Sequence, residues 1–376
     1  MKFSKTVRQF SFVGIGKIVG SGLSAIFYIL FALILEPSQY GELSFLIAIA
    51  QITSIFSRLG FNHTITIFQG KQDKNISEQI NNFVLLSTSV ASIFLLFINP
   101  FVALLTLSMS FFVMGQHNLL GKSKYKFFMN ISILQGLLHL FFVLIMFTFF
   151  NLEGILIGMC ISNLICCYPF FKSFSKFNFD FRKLRTIWKT SIHNFGVDAS
   201  TNLSRRIDKI IIAPIFGFTS VGIFQFNTQI LFALELIPLA LHSFLLSEES
   251  RGNKSKKLIF YILILSIIIS TSIFFLSPIF VKQFFSQYSD GIFSLQILGF
   301  TIIPLTISSI FSAKLQVMES TKVGFAALIR IGSIIILIPI LGNWFDLAGL
   351  SLSLLISSIL YSIFLGVLYK RLVKNY

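Results

Sequence analysis

Only 12 % of this 376-residue chain is charged, against 55 % hydrophobic residues and 47 phenylalanines. A soluble chain carries about a quarter charged residues, which excludes a soluble enzyme or binding domain, and no polar stretch is long enough to form one beside the apolar runs. The net charge of +16 would point to nucleic acid on a soluble domain; on an apolar chain it matches the Lys/Arg bias of cytoplasmic loops, so no nucleic-acid partner is expected.

Apolar runs lie at about 11–35, 41–61, 80–98, 101–120, 127–149, 152–171, 190–216, 220–246, 258–281, 291–313, 322–342 and 346–369. A bilayer core takes about 20 apolar residues per crossing, so the spacing predicts an all-α polytopic membrane protein of about 12 transmembrane helices. The first run is too long for a cleavable signal and is expected to stay as helix 1. Asn99-Pro100 marks a tight turn between the third and fourth runs. Cys160, Cys166 and Cys167 share the sixth run, lack zinc spacing and a His partner, and read as buried thiols. The seventh run carries five charges: Asp198, Arg205, Arg206, Asp208 and Lys209. Pro238, Pro304 and Pro339 fall inside runs, where they can kink helices. His63, His117, His139, His193 and His242 are scattered without metal spacing and read as ordinary polar residues. No Gly-rich phosphate loop or GxSxG motif is present. Neither a metal site, a catalytic residue nor a bound cofactor is expected.

With the N-terminus placed inside, the Lys and Arg of the connecting segments alternate cleanly. The inner ones carry Lys2, Lys5 and Arg8; Arg58, Lys71 and Lys74; Lys122, Lys124 and Lys126; the stretch from Lys172 to Lys189; Arg251 to Lys257; Lys314 and Lys322; and Lys370 to Lys374, whereas the outer loops hold only Lys282. One miscounted helix would invert the alternation after it, so both termini are expected in the cytoplasm of a cell-membrane protein. The chain also repeats itself. Residues 8–49 lie over 189–230 without a gap, pairing Lys17 with Asp198, Gly41 with Gly222 and Phe45 with Phe226. Asn151-Leu-Glu-Gly154 likewise resembles Asp346-Leu-Ala-Gly349. Six helices per half give both halves one orientation, the parallel repeat of two-lobed transporters. The expected organisation is an N-terminal lobe over 1–171, a basic cytoplasmic linker over 172–189 and a C-terminal lobe over 190–376, with a central cavity between pseudo-symmetric lobes.

Charges inside a spanning helix cost roughly 2.5–3.5 kcal/mol each and usually face a cavity or a partner. Turned as a regular helix, run seven places Arg205, Lys209, Asn202 and Asn194 within about 40° of Asp198, with Arg206 and Asp208 at the margins. An internal ion-pair set accounts for Arg205 with Asp208, but Arg205 and Lys209 repel at i,i+4, which favours a water-filled cavity lined by this stripe. Helix 1 offers a facing stripe of Lys17, Gly20, Ser21, Ser24 and Tyr28. Arg330 in run eleven and Glu235 in run eight are further candidates, the first against a snorkelling Arg, the second against a plain ion-pair partner. The eight intramembrane charges comprise five basic and three acidic groups. The substrate-binding candidates are therefore Arg205, Lys209, Lys17, Arg330, Arg206 and Asn202, and the ion-coupling candidates Asp198, Asp208 and Glu235.

Several stretches resemble the polysaccharide (Wzx-type, O-antigen) flippases of the MATE-like superfamily. The most specific is Arg206-Ile-Asp208-Lys209 through Gly217 to Val221-Gly222-Ile-Phe224, similar to the family's Asp, apolar run, Gly, Val-Gly-x-Tyr pattern, with Phe224 in place of Tyr. Pro37-Ser-Gln-Tyr40-Gly41 resembles the turn after helix 1, Ser57-Arg58-Leu59-Gly60 the end of helix 2, and Leu152-Glu-Gly154 the entry to helix 6. The resemblance implies two six-helix lobes that open alternately to each side, carrying a lipid-linked, pyrophosphate-bearing oligosaccharide from the cytoplasmic to the outer leaflet. An excess of Lys and Arg suits that anionic cargo. Membrane lipids and glycan-assembly enzymes are the other partners it implies, and coupling to H+ or Na+ through a carboxylate stays open. Two alternatives remain. A MATE-like drug or metabolite cation antiporter would want carboxylates rather than a net-positive site. A membrane-embedded glycan-processing enzyme would want a sizeable outer loop, and the outer loops here are short.

Overall fold

A computed structural model describes residues 2–174, 181–235, 238, 241, 245, 256–318 and 323–374. Lys176, Arg251, Lys254, Lys322 and His242, used above, lie outside them. Among the described residues the structure is helical, without strands. Its elements are α1 (Lys2–Ile34), α2 (Pro37–Arg58), α3 (Phe61–Gly70), α4 (Lys74–Leu96), α5 (Pro100–Gly121), α6 (Tyr125–Cys166), α7 (Tyr168–Phe171) and α8 (Leu184–Asp198). A π-helical turn follows at Ala199–Leu203, then α9 (Ile207–Leu234), α10 (Lys256–Phe284), a 3-10 turn at Ser286–Gly291, α11 (Ile292–Gly299), α12 (Ile302–Val317) and α13 (Val323–Lys374). Nine helices among the described residues are long and apolar enough to cross a membrane. The protein is thus an all-α polytopic membrane protein.

Turn chemistry explains where helices stop. Asn99 caps α5 by accepting from the N–H groups of Phe101 and Val102, with Pro100 at the first helical position, where its missing N–H costs nothing. α6 and α13 are each a pair of helices joined by one non-helical residue, Asn151 (φ 49°, ψ −131°) and Asp346 (φ 48°, ψ −131°). Gly154 abuts Met146 O and Gly349 abuts Leu341 O, so a Cβ at either position would overlap a carbonyl. Eight residues of straight helix span about 12 Å, so these contacts mean the chain doubles back. The two stretches paired by sequence therefore build the same hairpin turn. Gly217 (φ 79°, ψ 171°) breaks α9 into 207–216 and 218–234, a backbone conformation essentially confined to glycine.

The chain forms two compact units. The first comprises Met1–Tyr28 and Leu46–Ala199, the second Ile29–Phe45 and Ser200–Tyr376. Relative to the expected lobes, 29–45 packs with the second unit and 190–199 with the first. The core of the first unit joins Phe61, Ile65, Ile80, Val84, Met114 and Phe170, with Phe111 stacked on Phe170 at 4.9 Å. That of the second joins Ile212, Val221, Phe224, Leu298, Ile334 and Ile338. Cys160, Cys166 and Cys167 are buried free thiols.

Candidate functional site

The seventh run departs from a regular helix. α8 ends at Asp198, the next five residues form a π turn, and Ser204–Arg206 form a turn before α9 starts. The angular step of an α-helix fails from residue 199 onward, because a π turn bonds i to i+5. The expected stripe of Asp198, Asn202, Arg205 and Lys209 on one face is corrected accordingly: Asp198 packs in the first unit, and the others lie in the second.

In the second unit the charges find partners. Arg205 Nη2 donates to Glu235 Oε2 at 2.6 Å, and its guanidinium lies 5.1 Å over the Phe232 ring. Lys209 is buried; its Nζ donates to the Asp208 carboxylate at 3.2 and 3.3 Å and to Arg205 O at 3.2 Å. Asp208 also accepts the Lys209 N–H at 2.9 Å, and as a first-turn acid of α9 it faces the positive end of the helix dipole. Arg206 Nη1 donates to the backbone carbonyl of half-buried Asn202 at 2.7 Å. The i,i+4 repulsion between Arg205 and Lys209 is offset by two separate carboxylates, Glu235 and Asp208, instead of the expected Arg205–Asp208 pair. Arg330 lies 5.9 Å over the Tyr361 ring, and its buried Nε has no hydrogen-bond partner among the described residues.

The first unit holds a polar cluster that sequence reasoning missed. Leu59 and Gly60 both have positive φ, ending α2 and redirecting the chain into α3. Gly60 sits directly on the α8 backbone at Ser191 and Phe195, and Ser191 Oγ donates to Leu59 O at 2.7 Å. This close approach brings α3 beside the end of α8. Asp198, buried, accepts from Asn62 Nδ2 at 3.3 Å and lies 4.0 Å from His63 Nε2. The His63 and His117 rings meet edge to face at 4.8 Å, and His117 Nδ1 is 3.0 Å from Thr66 Oγ1. Asn194 donates to Thr64 at 3.0 Å. Lys17 on α1 and Arg58 on α2 both act electrostatically on His63 and His117. Arg58, one carboxylate and two imidazoles therefore lie close together, with Lys17 near enough for its field to reach both rings.

Arg58 is only 5 % exposed and donates to Ser54 Oγ, which is 2.8 Å from Ser110 Oγ. Ser110 is ten residues into α5, about 15 Å along its axis, or half the thickness of a bilayer core. Its assignment to an inner loop by charge counting is thus corrected: Arg58 is a buried intramembrane cation. Its place inside the run 41–61, just before Leu59-Gly60, was the available signal. His63 and His117, scattered in sequence, are neighbours in space because α3 and α5 pack together.

This fold is shared with membrane transporters. The lipid II flippase MurJ in its inward closed conformation is 17 % identical, with a TM-score of 0.75 over 95 % of this chain and 87 % of MurJ. An inward-facing multidrug resistance MATE family transporter of the MOP superfamily is 11 % identical, with a TM-score of 0.65 over 93 % of this chain and 98 % of that one. A MOP superfamily transporter from Pyrococcus furiosus, described as having a binding pocket of reversed polarity, is 13 % identical with a TM-score of 0.62 over 97 % and 95 %. The class defined is a helical membrane protein of MATE-like fold. Residues 6–151 match the family model for polysaccharide biosynthesis proteins, so the resemblance to the polysaccharide flippases holds. Among curated proteins none matches the chain by sequence.

Proposed function

We propose that the protein is a flippase of the cell membrane, with both termini in the cytoplasm, that moves a lipid-linked anionic oligosaccharide from the cytoplasmic to the outer leaflet by alternating access. The observation that carries this is the buried Arg58, hydrogen-bonded to Ser54 within the unit that contains most of the stretch matched to polysaccharide biosynthesis proteins. A charge at mid-depth is costly unless it meets a partner, and a pyrophosphate offers bidentate acceptors for a guanidinium. Lys17 and Arg58 are the first-ranked cargo contacts. Arg330 follows, since its Nε is still available. Arg205, Arg206, Lys209 and Asn202 are further candidates, of which Arg205 and Lys209 are each ion-paired with a carboxylate. Asp198, buried beside Asn62 and His63, is a candidate for a coupling H+ or Na+, as are Asp208 and Glu235, which pair with Lys209 and Arg205.

Losing one charge-assisted hydrogen bond costs about 1.5–3 kcal/mol, a roughly tenfold or greater loss of affinity. Arg58→Gln and Lys17→Gln are expected to cut glycan export at unchanged membrane level, with Arg58→Lys retaining part of it. The buried Asp198 favours one rival, a cation antiporter. Export that survives both Gln substitutions, with transport of an organic cation lost on Asp198→Asn, would establish the antiporter instead.

A further inference from the structure

In the first unit, a chain of amide side chains draws the ends of α3, α5 and α7 together beside α4. Gln69 Nε2, near the end of α3, donates to Asn118 Oδ1 of α5 at 3.0 Å. Asn118 Nδ2 donates to Asn81 Oδ1 of α4 at 3.1 Å, and Asn81 Nδ2 to Ser173 Oγ, just past α7, at 2.8 Å. Glycines let the same ends close up. A Cβ on Gly121, the last residue of α5, would lie 2.5 Å from Gln69 Cβ, and one on Gly115 would lie 3.2 Å from Phe170 N. The residues that follow these ends are basic. Lys71 is two residues beyond Gln69, Lys122 one helical turn beyond Asn118, and Lys172 adjoins Ser173, while Lys124 lies in the short α5–α6 connection. All four are exposed, and among the described residues none pairs with a carboxylate. Asp73, the acid nearest to Lys71 in sequence, is turned to the start of α4, where it accepts the Ile76 N–H at 3.0 Å. Partial burial, and after it the fields of Lys124 and Lys172, hold the Lys122 ammonium below the usual lysine range. Aromatic rings surround this basic rim. Lys172 Nζ lies 5.4 Å over the Tyr168 ring and Lys71 Nζ 5.4 Å over the Phe68 ring, and Tyr168 and Phe171 are exposed.

We propose that this rim binds the phosphate of an anionic phospholipid of the cytoplasmic leaflet, with Lys122, Lys124 and Lys172 around the phosphate and Tyr168 and Phe171 beside the upper acyl chains. The cytoplasmic side rests on the sidedness proposed above; the cargo plays no part. Inner-face lysines in general attract anionic lipid diffusely. Here the amide chain fixes the helix ends that carry the charges, no acid neutralises them, and Lys122 sits in the field of two like charges, which disfavours its charged form. A phosphate in their midst relieves that repulsion. Exposed rings at the ends of spanning helices belong at the headgroup level of a bilayer, so an anion that also keeps its chains in lipid suits the rim better than a soluble one.

The test is lipid retention by the full chain, read by native mass spectrometry during titration with phosphatidylglycerol or phosphatidylcholine in detergent. The parent should retain phosphatidylglycerol in preference. Lys122→Gln and Lys172→Gln should each weaken that binding by roughly fivefold, and the double variant by more, whereas Lys122→Arg should keep most of it. Either single variant serves if the other fails to fold. Lys370→Gln removes the same charge from an exposed position in the second unit and should change little. An equal loss in Lys370→Gln, or no preference in the parent, would leave only diffuse attraction and overturn the site. Inorganic pyrophosphate is the competitor: displacement of phosphatidylglycerol by an equal concentration of it would make the rim a site for bare phosphates and overturn the lipid. Binding is read without cargo. No preference in a protein that exports glycan overturns the site alone, and a selective site in a protein that exports none overturns the flippase reading alone.

Discussion

At the scale of single residues, burial decides what each ion pair is worth. Lys209 and Asp208 are both buried, whereas Arg205 keeps 45 % of its side chain exposed opposite a buried Glu235. Removing one member of a buried pair strands the other charge and costs about 3–5 kcal/mol. A half-exposed pair is screened by solvent, and its loss costs about 1 kcal/mol. Lys209→Met is therefore expected to lower thermal stability in detergent more than Arg205→Gln, and adding Asp208→Asn to Lys209→Met should restore much of the loss. A larger effect at Arg205 would place Lys209 in a wetter setting than its burial indicates. Sequence reasoning singled out these residues because charges in apolar runs stand out. Their pairing was not legible, since Arg205 lies just before α9 and Glu235 just past its end, 30 residues apart.

At the scale of elements, the two hairpins carry the clearest strain. Asn151 and Asp346 adopt a backbone conformation that favours glycine, which costs about 1–3 kcal/mol. Asn151→Gly and Asp346→Gly are expected to raise the melting temperature. Gly154→Ala and Gly349→Ala, which drive a methyl into a carbonyl, should each lower stability by about 1–3 kcal/mol. Similar effects at both hairpins would show that the turn is one repeated device; an effect at only one would break that equivalence. The turns were legible because Asn and Asp followed three residues later by Gly recur in both halves. The break between α8 and α9 was not. Residues 199–206 contain neither Gly nor Pro, and only Ser, Thr and Asn there compete with the helical backbone for hydrogen bonds. A fixed angular step therefore carried the polar stripe past the point where the helix stops.

At the scale of the whole molecule, sidedness is the property to measure. Single cysteines at Asn99, Asn151 and Asn343 are expected to react with an impermeant thiol reagent from outside intact cells; labelling there only after permeabilisation would reverse the assigned topology. The sequence by itself determined the membrane class, the helical content, the principal turns and the likeness to polysaccharide flippases. Those properties follow from composition, run length and local turn chemistry, which act over a few residues to a few tens. Tertiary structure alone decided that Asp198 leaves the charges that follow it to join Asn62, His63 and His117. It alone turned Arg58 from a loop charge into a buried cation, and set Gly41 against Gly222. The reason is the same each time. Each rests on contacts between positions far apart in the chain, Ser54 beside Arg58 with Ser110, Asn62 with Asp198, and Gly41 with Gly222, distances over which periodicity holds no information.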